Sequence, residues 1–154
     1  MSIYILALLI GIVAGLRSMT APAMTSWAAH LGWLNLQGTW LAFLGFAYTP
    51  YILSVLALGE LITDKLPSTP SRKVPIQFGA RILIGALCGA AFGLAGQNLI
   101  GGLVAGTIGA VIGTLGGADL RGRLAKKVGK DFPIALLEDV IAIGGALLII
   151  SRLS

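Results

Sequence analysis

The stretch Leu16-Arg17-Ser18-Met19-Thr20-Ala21-Pro22-Ala23 interrupts the first long apolar run with an arginine, two hydroxyls and a proline. Around it the chain reads as membrane. The preceding run, residues 3–16 (IYILALLIGIVAGL), predicts a first helix. At ~1.5 Å per residue it is short for a hydrocarbon core of ~30 Å. It spans only by continuing through Arg17 to Thr20, or by thinning the bilayer. Ala21-Pro22-Ala23 also has the look of a cleavage site, but no basic side chain precedes the apolar run, so the segment reads as retained.

Composition supports the membrane reading. Of 154 residues, 56% are hydrophobic and 11% charged, and the mean hydropathy is +0.93. A soluble domain carries roughly a quarter charged residues. One membrane domain fills the length. The net charge of +5 sits mostly in two loops, and no aromatic-basic interleaving points to nucleic acid. Cys88 is the single cysteine and His30 the single histidine, so no disulfide framework and no cysteine or histidine metal site is expected. No cofactor motif is present. His30 reads as an ordinary interfacial residue.

After the break, residues 22–36 start at Pro22, a favoured first helical residue. They predict a short interfacial or re-entrant helix, then a turn at Asn35–Gly38. Trp27, Trp33 and Trp40 suit a headgroup-level belt. Residues 40–65 hold a second span, mainly 50–65 from Pro50, with 40–48 either extending it or lying in the interface. The loop 66–75 (LPSTPSRKVP) stops any helix with its three prolines. Spans three and four cover 76–95 and 99–117. Both are glycine-laddered: Gly85, Gly89 and Gly93, then Gly102, Gly106, Gly109, Gly113 and Gly117. Small residues at that spacing let backbones approach closely, within a chain or between copies. Residues 119–130 (DLRGRLAKKVGK) predict an amphipathic helix lying on an anionic membrane surface. A fifth span covers 133–151.

With five spans, the basic loops share a side with the N-terminus. Positive-inside bias then places the N-terminus in the cytoplasm and the C-terminus outside. The two ends of the chain also look alike: GIVAGL (11–16) compares with GAVIGT (109–114), and each unit resumes at Pro50 or Pro133 ahead of a carboxylate pair. Three spans separate the units, so the expectation is an inverted repeat: 1–66, a central helix at 76–95, and 99–154.

Few residues can carry chemistry. Arg17 in a spanning helix costs about 2.5–3.5 kcal/mol on insertion scales and is usually paired or wet. The break frees N–H groups, and Ser18 and Thr20 add donors, a set suited to phosphate or carboxylate. The plain alternative is snorkelling to the nearer interface. Glu60, Asp64, Glu138 and Asp139 form the second group. Clustered carboxylates repel one another, and a bound proton or cation relieves that repulsion, as a coupling site needs. They could equally pair with Arg81, Lys65 or the basic loops. On this topology Arg17 lies toward the opposite face, so it pairs with them only if its segment re-enters. Ser68 and Arg72 in the polar loop offer a headgroup contact, with a plain turn as the alternative. No enzyme signature appears.

At GLRSMTAPA (15–23), GELITDKLPSTPSR (59–72) and LLEDVIAIGGALLI (136–149), the chain resembles a family of small bacterial integral membrane proteins classed as a domain of unknown function. The resemblance covers nearly the whole length. It implies a compact helical membrane protein, and motif residues that include Arg17, Ser18, Thr20, Glu60, Asp64, Ser68 and Arg72. It implies no activity.

The expectation is thus an all-α protein of the bacterial inner membrane, with a broken first hairpin and about five spans. Its expected function is transport or channel-like conduction of an anionic or lipid-phosphate substrate with proton or cation coupling. The expected partners are anionic lipid headgroups at the cytoplasmic face and further copies of the chain. The alternative is a non-catalytic membrane scaffold or assembly protein. A lipid-modifying enzyme is a weaker third reading.

Overall fold

A computed structural model describes residues 3–34, 36, 39–63, 75–129 and 132–152. These form six α-helices and one 3-10 turn, with no strand among the described residues. α1 (Ile3–Leu16) occupies the first apolar run and α2 (Thr20–His30) the short segment after the break. A 3-10 turn at Ala42–Gly45 precedes α3 (Thr49–Thr63). α4 (Pro75–Ala95), α5 (Leu99–Val128) and α6 (Phe132–Ser151) complete the chain. Three of these, α4, α5 and α6, are long and apolar enough to cross a membrane. α1 is equally apolar but has 14 residues, and α3 has 15.

α5 departs from the expected pattern. It was expected to end near 117 and give way to a helix lying flat on the surface. Instead it runs unbroken for 30 residues, about 45 Å. No proline interrupts it, and a helical glycine costs only about 1 kcal/mol. It ends where Gly129 takes the left-handed conformation with φ 87°, and the Gly129 N–H donates to the Ala125 carbonyl. The basic stretch therefore prolongs the helix axis by about 15 Å beyond a hydrocarbon core of ~30 Å. Asp119 pairs with Arg123 at 3.2 Å, one turn on. Lys130 lies outside the described residues.

Contact register fixes the helix directions. α1 and α5 run parallel: Gly11 lies against Gly106, and Gly15 against Ala110 and Thr114. α4 runs against both, with Gly85 beside Gly106 and Ala110, Gly93 beside Asn98, and Gly96 beside Ile3. α6 also runs against α1, because Leu16 shares a groove with Ile141 and Leu6 shares it with Arg152. α2 turns back from α1 and runs alongside α4: the α1–α2 junction meets Arg81 through Gly15, and Thr25 lies near Cys88. α3 returns against α2, with Ser18 at Glu60 and Trp27 at Ser54.

This turn-back corrects two expectations. The extra reversal at α2 brings Ile3 and Ser151 to the same end of the bundle, where opposite ends were expected. It also makes α1 and α5 parallel, so the two stretches thought to be inverted copies point the same way. Past GAVIGT the chain shows no second break: α5 continues as helix through Thr114–Asp119.

The glycine ladders are consumed inside the chain. A Cβ at Gly11, Gly89, Gly102, Gly106 or Gly109 would collide with the backbone of a neighbouring helix. Such contact replaces the hydrophobic drive that helices lack in lipid with close backbone packing. Asn98 locks the turn between α4 and α5. Its side chain accepts from the Gly101 N–H at 3.0 Å and donates to the Tyr4 hydroxyl at 2.8 Å. Trp27 serves α2–α3 packing, donating to Ser54 Oγ at 2.9 Å and stacking edge-on against Tyr51 at 5.2 Å. Trp40 is exposed and stays compatible with an interfacial belt.

Candidate functional site

The break between α1 and α2 forms because Arg17 and Ser18 leave the helix and α2 restarts at Thr20, with Pro22 in its first turn. Proline suits that position because its missing N–H would be unsatisfied there in any case. Arg17 is 0% exposed and is the largest fully buried side chain among the described residues. It is saturated. Nε donates to Asp139 Oδ1 at 2.7 Å, and Nη2 lies 2.6 Å from the same oxygen. Nη1 bonds Glu138 Oε1 and the Leu16 carbonyl, the latter at 2.9 Å. Nη2 also reaches the Ala135 carbonyl at 3.3 Å. A guanidinium has five N–H donors, and these contacts use all of them. Snorkelling is thereby excluded for Arg17. Its pairing with Glu138 and Asp139 follows from the turn-back of α2, which leaves the end of α1 beside the start of α6.

Glu60 faces the other side of the break. Its carboxylate accepts the Ser18 N–H at 3.0 Å and the Met19 N–H at 2.9 Å, and also the Ser18 hydroxyl. These N–H groups precede the first turn of α2 and have no partner within the helix, so a carboxylate there caps it and complements its dipole. Arg81 completes the arrangement. Nη1 donates to the Gly15 carbonyl at 2.8 Å, and Nη2 lies 3.9 Å from Glu60 Oε2. Arg81 is 5% exposed.

Two guanidiniums and three carboxylates thus gather around a single helix break. If all are ionised, two positive and three negative charges leave one negative charge in excess. Burying a charge is tolerable only when it is paired and hydrogen-bonded, and every member here has such a partner. Two hydroxyls close by stand apart from this network. Thr20 Oγ1 and Thr114 Oγ1 are buried and make no hydrogen bond among the described residues. Thr114 packs against Gly15 and Thr20 opens α2.

Of the residues singled out from sequence, Arg17, Ser18, Glu60, Glu138 and Asp139 therefore converge, and Thr20 borders them. Asp64, Ser68 and Arg72 lie outside the described residues. Arg81, which the sequence suggests only as a structural partner, belongs to the cluster. Its sequence signal was a charge placed six residues inside a spanning helix. The Met19 N–H carried no side-chain signal. His30 stands apart, near the other end, with Nδ1 3.3 Å from the Gly45 carbonyl. No group of three metal-ligating side chains occurs among the described residues. No family model, curated protein or solved structure matches the chain.

Proposed function

We propose that the chain is a small polytopic protein of the bacterial inner membrane that moves an anionic solute or lipid phosphate together with a proton. The observation that carries this reading is the saturation of Arg17 by two adjacent carboxylates at a helix break. With both carboxylates ionised, the guanidinium is closed to any other anion. Protonation of Glu138 or Asp139 removes one negative charge and frees donors on Arg17. An incoming phosphate or carboxylate then takes the vacated position. One proton and one negative charge enter together, so the charge of the buried cluster is unchanged. Glu60 and Arg81 hold the break open during the exchange.

Charge distribution supports an orientation for this reading. The Arg17–Glu138 end of the bundle also receives the end of α5, with Arg121, Arg123, Lys126 and Lys127. α3 ends and α4 begins at that end, and the sequence between them carries Lys65, Arg72 and Lys73. Positive-inside bias therefore favours this end in the cytoplasm and both termini outside. The basic end of α5 would meet anionic headgroups there. Because the glycine ladders are consumed internally, association of copies would use the exposed apolar faces of α3 or α6.

A second reading is favoured by the completeness of the same ion pairs: a membrane scaffold in which Arg17 clamps the α1–α2 junction to α6. Reconstitution into liposomes separates the two. Transport requires phosphate uptake above that of empty liposomes, increased by an inward proton gradient and lost in Arg17→Ala and Glu138→Gln. Wild-type uptake equal to empty liposomes rejects transport and leaves the clamp.

A further inference from the structure

Between α1 and α6 a groove of about 360 Å³ opens along the side of the bundle. It runs from Leu6 to Leu16 on one wall and from Ile141 to Arg152 on the other. Its lining is apolar apart from one side chain, Arg152, at the end of the bundle that holds Ile3 and Ser151. Arg152 is exposed and makes no ion pair among the described residues. That distinguishes it from Arg17, whose guanidinium is held by Glu138 and Asp139 inside the protein.

The dimensions select the occupant. Ten residues of α1 rise about 15 Å, and the facing stretch of α6 rises about the same. A hydrocarbon core of ~30 Å gives each leaflet about that depth. The groove is thus as long as one acyl chain is deep, apolar over that depth, and cationic where a headgroup phosphate would sit. Gly145 makes room in its wall. A Cβ placed there meets nothing within 4 Å, in contrast with the crowded glycines of α1 and α5.

We propose that this groove is a binding site for one anionic phospholipid, with an acyl chain between α1 and α6 and its phosphate on Arg152. The groove's inner end, at Leu16 and Ile141, abuts the residues flanking Arg17 and Asp139. A seated chain would pack against the two helices that the Arg17 ion pairs join. The site stands on its own geometry and does not depend on the transport reading.

Native mass spectrometry of the detergent-purified full chain tests it. Dioleoyl phosphatidylglycerol and dioleoyl phosphatidylcholine, equal in chains and different in charge, are offered together. Wild-type protein should retain the phosphatidylglycerol about fivefold over phosphatidylcholine, the factor that one basic residue contributes at an anionic surface. Arg152→Gln should equalise the two without changing the fold, since that side chain is exposed. Gly145→Leu should lower retention of both lipids, with helical content and thermal midpoint held. Equal retention by wild-type protein overturns the proposal. So does a preference that survives Arg152→Gln, or undiminished retention in Gly145→Leu.

Discussion

Arg17 and Asp139, 122 positions apart in the chain, meet through two nitrogens on one oxygen: Nε at 2.7 Å and Nη2 at 2.6 Å from Oδ1. The contact ties the end of the first helix to the second turn of the last. Glu138 adds its own oxygen to the same guanidinium. Adjacent helical residues point about 100° apart, so one side chain reaches both only by lying between them.

Removing Arg17 strands two buried carboxylates. Arg17→Ala should therefore lower stability by about 3–5 kcal/mol, the usual cost of breaking a buried pair from one side. Arg17→Lys should recover only a minor part, because an ammonium lacks the planar fork that spans two carboxylates. Adding Glu138→Gln and Asp139→Asn to Arg17→Ala should restore part of the loss. Thermal unfolding in detergent measures all three.

Glu60 should act locally. Glu60→Ala leaves the Ser18 and Met19 N–H groups without their acceptor, at about 1–3 kcal/mol. Glu60→Gln keeps an acceptor oxygen and should cost less. Hydrogen exchange at these two amides reads the difference directly. Faster exchange in the alanine variant alone is the expected result, and unchanged exchange in both would remove Glu60 as the cap of α2.

Glycines on the same helix should respond oppositely. A methyl at Gly106 collides with the Gly85 carbonyl and Gly89, so Gly106→Ala should destabilise by about 1–3 kcal/mol through overpacking. Gly116 faces open space, and Gly116→Ala should be neutral or stabilising by up to about 1 kcal/mol. Paired unfolding midpoints of the two variants check this.

Reporter fusions test the path of the chain. Reporters at the N- and C-termini should fall in the same compartment, and a cysteine at Lys127 should be labelled from the other. Termini in opposite compartments would reject the turn-back of α2.

Local pattern made much of this fold legible. The apolar runs located α1, α4 and α6 to within a residue, because a helix in lipid must satisfy its own backbone hydrogen bonds over a continuous stretch. Pro22 was legible because its missing N–H costs nothing in a first helical turn. The direction of α2 was not. Eleven residues are too few to span, so counting spans passes over them, yet they reverse the chain. That single reversal moved Arg17 from the far side of the carboxylates to their centre. Glu60, Glu138, Asp139 and Arg17 were visible as charges in apolar sequence. Their convergence was not, because no local rule connects residues 122 positions apart. The straight course of α5 was hidden by its amphipathic end, whose leucines and lysines fit a flat helix as well as a protruding one.

The glycine contacts among α1, α4 and α5 have a mechanical consequence. Where backbone meets backbone, no side-chain rotamer can change to let one helix slide past another. These three helices therefore behave as a stator. α3 is different: it rests on α2 and the 3-10 turn, and much of its outer surface is exposed. Its polar ties to α2 run through Ser54 and Glu60. α3 is therefore the element least fixed to that frame, joined to it through buried α2 and the Glu60–Arg81 contact.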